Sequence, residues 1–255
     1  MSFTSHPDLA GKVALVTGSS RGIGAATCRA LAANGARVAV NGRDEAAVDG
    51  VVAEITEAGG TALAAIGDVT DAATVHRIRE DVERTLGPID ILAPFAGGQG
   101  RPVPTADLGA AQWRATIESD LTSVFLAVSE VLPGMIDRRT GVIITMSSTA
   151  GRQAGLASIA YASAKAGVVM FSKHLASEVG RHGIRVNCLA PSAVFNDRMH
   201  ANMTEQQFAE MVKHFPLGRI GQPDDIAEAV LYLASDTASW ITGATLDLTG
   251  GRVIV

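Results

Sequence analysis

Short apolar runs alternate with longer amphipathic stretches along nearly the whole chain. Runs at residues 13–16, 38–40, 62–66, 89–93, 142–146, 184–189 and 244–248 have the length and unbroken character of strands covered on both faces. Helical patterns fill 23–34, 45–58, a stretch ending at 86, 110–138, 158–181 and 223–235. Gly35 stops the first helix and Gly59-Gly60 the second, Thr70 or Asp71 caps the third, and Pro223 opens the last. Residues 1–10 read as a loose lead-in, and 192–216 as a long irregular segment. Strand and helix alternate without a Pro/Gly/Ser linker. That predicts an α/β chain, 1–255 as one doubly wound domain, with a parallel sheet of about seven strands and helices on both faces.

Composition narrows the function classes. With 47% hydrophobic and 18% charged residues, the chain has the make-up of a folded protein rather than a disordered one. A net charge of -5 offers no basic footprint for nucleic acid or an anionic membrane. The six His lack paired metal spacing, so no metal site is expected. Cys28 and Cys188 sit in apolar segments and read as small buried hydrophobes. The N-terminus carries no secretory pattern, and no uncharged apolar run reaches the roughly 20 residues of a membrane helix. A cytoplasmic location is the expectation.

Candidate chemistry gathers where strands end. Thr17-Gly18-Ser19-Ser20-Arg21-Gly22-Ile23-Gly24 lies between a buried strand and a helix. Glycines there let backbone approach a pyrophosphate, and the helix N-terminus offers free N–H groups. Asp68, Ala96-Gly97, Ser148 and Pro191 also follow strands, so all should line the carboxyl edge of the sheet. Tyr161 and Lys165 are four apart in an Ala-rich helix, one turn apart on one face. An ammonium beside a phenol favours the phenolate, which suits proton transfer at neutral pH. A hydroxyl of Ser147 or Ser148 can hold a substrate oxygen opposite that phenol.

Together these residues resemble the short-chain dehydrogenase/reductase family from Lys12 to Gly251. T-G-x-x-x-G-x-G matches its cofactor loop, Asp68-Val69 its adenine side, and Ser148, Tyr161 and Lys165 its catalytic set. Asn187 with Pro191, Gly218-Arg219, Gly221-Gln222-Pro223 and Thr242-Gly243 match its later signatures. The resemblance implies a Rossmann fold. It implies a Tyr161 acid or base, a Ser148 hydroxyl orienting the carbonyl oxygen, and a Lys165 that holds ribose hydroxyls. It also implies cofactor contacts from Gly18, Ser20, Arg21, Gly22, Ile23, Gly24, Arg43, Asp68, Val69, Ala96, Gly97, Tyr161, Lys165, Pro191 and Val194.

Four positions depart from the family. Asp120 replaces the Asn that normally sits at a local helix irregularity and supports a proton relay. An ionised Asp120 would oppose the effect of Lys165 on Tyr161 and raise the pH optimum, unless it turns outward. Pro94-Phe95 replaces two amides that normally border the adenosine. Ser192 follows Pro191 in place of Gly, and Asn196 stands where a cofactor-binding Thr is common. Thr249 replaces a frequent Asp.

The second strand ends Asn41-Gly42-Arg43. Gly42 leaves room where a carboxylate would select NAD(H), and the Arg43 fork matches a phosphate, with Arg21 on the same side. NADP(H) is therefore expected, with NAD(H) possible. The expected activity is hydride transfer between NADP(H) and a carbonyl or secondary alcohol, such as a 3-oxoacyl thioester or other ketone. The pattern is closest to that of 3-oxoacyl-carrier-protein reductases. Sugar, steroid and aromatic alcohol dehydrogenases share it. An NADP(H)-binding sensor or scaffold with little turnover is the competing class, and an enoyl reductase is disfavoured by the Y-x-x-x-K spacing. Met199, Met203, Phe208, Met211 and Phe215 form a stripe that serves as helix core or as a substrate lid near 192–216. The resemblance also implies a homodimer or homotetramer built on the 121–135 and 168–175 helix faces.

Overall fold

The computed structural model describes residues 3–98, 102–155, 157–196, 199, 201 and 203–254. Seven strands form one parallel sheet: β1 (Val13–Thr17), β2 (Arg37–Gly42), β3 (Thr61–Ile66), β4 (Ile91–Pro94), β5 (Gly141–Met146), β6 (Ile184–Pro191) and β7 (Thr245–Leu248). Their spatial order is β3-β2-β1-β4-β5-β6-β7. The chain reverses direction across the sheet between β1 and β4, which opens a crevice at the carboxyl ends of those two strands.

The helices are α1 (Gly22–Ala33), α2 (Glu45–Glu57), α3 (Ala72–Leu86), α4 (Ala110–Ile117), α5 (Ser123–Arg138), α6 (Ile159–Val179), α7 (Glu205–Val212) and α8 (Pro223–Ala234). The two-residue period of each strand sends alternate side chains to opposite faces. Ala14 and Val16 meet a core built with α1, α2 and α8, whereas Val13 and Leu15 meet one built with α3, α5 and α6. Both faces are dry, which explains why the strands read as unbroken apolar runs.

Local signals place the helix starts. Asp44 accepts from the Ala47 amide to cap α2, and Asp71 accepts from the Thr74 amide. Of the two residues offered by the sequence, Asp71 is therefore the cap of α3. The expected continuous helix 110–138 is broken by a π-helical turn at Glu118–Thr122. The lead-in is not loose: Leu9 is buried, the His6 amide donates to Asn34 Oδ1, and Asp8 accepts from the Asp236 amide.

Candidate active site

Helix α6 starts at Ser158, whose hydroxyl accepts from the Tyr161 amide at 3.3 Å. That cap fixes the first turn, and Lys165 follows one turn later on the same face. The Lys165 ammonium lies 5.5 Å from the centre of the Tyr161 ring. Its side chain is 4% exposed, and Nζ donates to the Met146 carbonyl at 3.1 Å. Ser147, next after β5, donates to the Lys165 carbonyl at 2.7 Å and locks α6 to the strand end. Ser148 is half-buried, and its hydroxyl accepts from the Ala150 amide at 3.2 Å. Of the two serines, Ser147 is engaged as a brace, while Ser148 shares the Tyr161 cavity with a hydroxyl proton to give.

Asp120 does not turn outward. It is fully buried in the π-helical turn, with Oδ1 3.2 Å from Lys165 Nζ. The same oxygen accepts from the Gly98 amide at 2.6 Å, and Ser119 donates to Oδ2 at 2.7 Å. A carboxylate in a dry interior persists only when paired and hydrogen-bonded, and all of these partners converge on it. Gly97 sits directly against this group, at φ +132, and a Cβ there would strike Asp120 Oδ1. Hydroxyl groups shape the turn: Thr116 donates to the Gln112 carbonyl and Ser123 to the Ser119 carbonyl. Such side-chain bonds to the preceding turn loosen an α-helical ladder.

The glycine loop is built for close approach. Gly18 has φ +64, and a Cβ there would lie 2.7 Å from Ala96 Cα. No side chain caps the N-terminus of α1, so its leading N–H groups are left for an anion. Ser20, Arg21 and Gly22 line a cavity of about 730 Å³ in front of them. Gly18, Arg43, Asp68, Val69, Ala96 and Gly97 line an adjoining one of about 550 Å³. Asn41 was not singled out by sequence reasoning. Its side chain donates to the Ala65 and Gly67 carbonyls and accepts from the Gly18 amide, tying the glycine loop to β3. The signal was an amide closing an otherwise apolar strand.

Gly42 lines the adjoining cavity together with Arg21 and Arg43, where the sequence leads one to expect room for a 2′-phosphate. A Cβ there would lie 2.9 Å from Ser20 Cβ and Val48 Cγ2, so a side chain at this position requires those neighbours to shift. Arg43 reaches toward Asp68 at 3.4 Å, and Arg21 toward Asp44 at 3.3 Å. Hydrogen bonds from Thr70, its backbone amide first, hold the Asp68 carboxyl below its ordinary range. Beside the loop, Pro94 pairs with Thr17 at the end of β4, and the Ala96 amide donates to the Thr17 hydroxyl. That bond holds the strand end where the family pattern has amides.

Tyr161, Lys165, Ser148, Ile23, Gly97, Pro191 and Val194 meet at a third cavity, of about 580 Å³, which Asn196 and Met199 also line. Asn196 is engaged locally: its side chain donates to the Val194 carbonyl and accepts from the Met199 amide. The Met/Phe stripe divides. Phe215 enters the core, Met203, Phe208 and Met211 are half-buried, and α7 buries no residue fully. Both thiols are buried; burial pushes Cys28 up to about 12 and raises Cys188. Among the described residues no cluster of His, Cys, Asp and Glu suits a metal.

The family model described as Enoyl-(Acyl carrier protein) reductase matches residues 18–252. The 3-oxoacyl-[acyl-carrier-protein] reductase of Synechocystis sp. is 39% identical over 249 residues, 96% of this chain and 98% of that protein. The 7alpha-hydroxysteroid dehydrogenase of Escherichia coli is 36% identical over 245 residues, covering 96% and 95%. A solved 7 alpha-hydroxysteroid dehydrogenase complexed with NADH and 7-oxo glycochenodeoxycholic acid superposes with a TM-score of 0.91 at 36% identity, over 96% of each chain. A 3-oxoacyl-[acyl-carrier protein] reductase from Brucella melitensis with bound NAD gives 0.89 at 30% identity, over 98% of this chain and 94% of that one. With sheet order, glycine loop and Tyr161–Lys165 spacing in agreement, the chain belongs to the short-chain dehydrogenase/reductase family, oxidoreductases that act on carbonyl and alcohol groups with a nicotinamide dinucleotide.

Proposed function

We propose that the protein reduces a ketone to a secondary alcohol with NADPH, in the manner of a 3-oxoacyl reductase, Tyr161 being the proton donor. The observation that carries this reading is the grouping of Tyr161, Ser148 and buried Lys165 on one cavity beside the glycine loop. The cradle fits a dinucleotide: uncapped α1 amides face the phosphates, and the closed space at Gly18 demands bare backbone. The nicotinamide, when bound, supplies or accepts the hydride. Ser148 donates a hydrogen bond to the carbonyl oxygen and fixes its direction. Tyr161 gives that oxygen a proton as negative charge develops on it. Lys165, held by Met146 and Asp120, presents its remaining proton to the ribose hydroxyls and its charge to the phenol. Arg21, Ser20, Gly22, Ile23 and Gly24 would hold the phosphates, while Asp68, Val69, Ala96 and Gly97 would border the adenosine. Pro191 and Val194 border the nicotinamide.

Preference for NADP(H) is supported by the glycine, bare of any carboxylate, that ends β2 at Gly42 and by two exposed guanidinium groups on the same cavity. Arg43 has only a loose, exposed partner, so turning to a 2′-phosphate costs little. The relatives bound to NADH and NAD make the comparison worth measuring. The description of the family model favours an enoyl substrate instead. The Tyr161–Lys165 spacing and the carbonyl reductase relatives favour the ketone.

A panel of ketones, alcohols and enoyl thioesters with NADPH and NADH tests both points. Ketone-dependent NADPH oxidation is expected, with a lower KM for NADPH than for NADH. Tyr161→Phe should lose about 10²- to 10⁴-fold in kcat while still binding the dinucleotide. Consumption with enoyl thioesters alone, or a clear NADH preference, overturns the corresponding part.

A further inference from the structure

The cavity that holds Tyr161 has a one-signed wall. Of the described residues lining it, two carry charge, Lys165 and Arg252, and no carboxylate does. Lys165 is buried and matched by Asp120. Arg252 is exposed and forms no ion pair with a described residue, and the cavity it lines also carries Phe95, Val194 and Met199 beside Gln153, Ser192 and Asn196.

The chain builds a support for this guanidinium. Gly250 and Gly251 turn the backbone through φ +59 and +82, and a Cβ on Gly251 would strike the ring of Pro216. The Thr249 hydroxyl donates to the Val253 carbonyl at 2.9 Å, and the Arg252 amide donates to the Thr249 carbonyl at 3.1 Å, which closes the turn. Buried Val253 anchors its far side. The Arg252 guanidinium then stacks 5.3 Å from the centre of the buried Phe215 ring, with Nη1 3.5 Å from Ser192 Oγ. An aromatic face limits the conformations of a long side chain and leaves the edge of the fork free.

We infer that Arg252 is a specificity-determining residue that receives the anionic group of a carbonyl substrate whose reacting carbon lies at Tyr161. This rests on the ketone reductase reading above. A planar fork binds carboxylate or phosphate with two parallel bonds, and an exposed Arg252 on the cavity of Tyr161 is open to the remote end of a substrate. The substrate class is an oxo compound carrying a carboxylate or a phosphate at the end remote from the ketone, with an apolar stretch between.

The test uses the full-length enzyme with NADPH and three substrate arms: oxo acids of graded length, their methyl esters, and a keto phosphate. Wild type should prefer the anion over the matched ester. Arg252→Gln should lower that preference by about tenfold or more through KM, leaving kcat/KM for the ester and KM for NADPH within about twofold. Arg252→Lys should recover part of the preference, and added salt should raise KM for the anion alone. The arm with the greater loss, acid or phosphate, identifies the anion. An anion-to-ester ratio that is unchanged in Arg252→Gln, or a wild type that prefers the esters, overturns the assignment while leaving ketone reduction intact. Should Arg252→Gln fail to fold, equal salt dependence of acid and ester in wild type overturns it as well. Wild type that reduces neither acid nor ester defeats the ketone reading first, and the assignment with it.

Discussion

Asp120 shows how one atom changes a site. It places a negative charge 3.2 Å from the Lys165 ammonium, where an Asn would offer only a dipole. The titratable groups around it are Tyr161 and Lys165 on α6 and Cys188 on β6, a thiol that burial raises and the Lys165 charge lowers. Lys165 thus divides its influence between a carboxylate and a phenol. Asp120→Asn keeps the acceptor for the Gly98 amide and removes the opposing charge. The pH–rate profile of that variant should move to lower pH, measured as kcat/KM for ketone over the active range. An unmoved profile would show that the carboxylate only positions Lys165. Asp120→Ala differs: it strands a buried ammonium and an amide, and should cost about 3 kcal/mol in denaturant unfolding.

At the start of α8 the balance is more local. Arg219 donates to both oxygens of Asp225, at 2.6 and 2.7 Å, and the Gln222 amide donates to Asp225 Oδ2. The hydrogen bonds from Arg219, its largest influence, hold the Asp225 carboxyl below its ordinary range. A depressed carboxyl stabilises the fold above its unfolded pKa of about 3.9, and that contribution fades as pH falls through the folded value. The pair is half-exposed, so the cap counts for more than the charge. Asp225→Asn keeps an acceptor for the Gln222 amide and loses only the screened charge, so it should cost about 0.5 kcal/mol at neutral pH. In thermal melts the gap to wild type should close as the solution is taken well below about pH 4. Helix α8 was readable from Pro223 at its first position. The π-helical turn was implied only by the resemblance at Asp120, because no Pro, Gly or change of period marks it in the chain.

Across the molecule, exposed large apolar side chains among the described residues include two groups on different elements. Phe125 on α5 and Met170 on α6 are 53% and 63% exposed, on helices covering one sheet face. Within 110–138, the most apolar 18-residue window has a mean hydropathy of 1.3 and is only 39% buried. Near α8 and the β7 edge, Tyr232, Leu246 and Trp240 are exposed, Trp240 at 98%. Two separate apolar faces on one chain fit a tetramer assembled as a pair of dimers. Light scattering at micromolar concentration should give four times the chain mass. Met170→Glu and Trp240→Glu should each reduce it to two. A monomeric wild type would contradict this.

Strand runs, the glycine loop and the Tyr161–Lys165 spacing were legible in the chain because each is local. A two-residue period, a positive-φ requirement and a one-turn interval leave their mark in neighbouring residues. The fate of Asp120, the closed space at Gly42 and the setting of Arg252 were not legible. Each depends on atoms brought together from distant segments: Asp120 with Lys165, Gly42 with Ser20 and Val48, Arg252 with Phe215 and Ser192. Periodicity encodes which face of an element is dry, but it carries no distance between side chains on different elements. Those distances, and the electrostatics that follow from them, exist only after the sheet is assembled and the helices have closed over it.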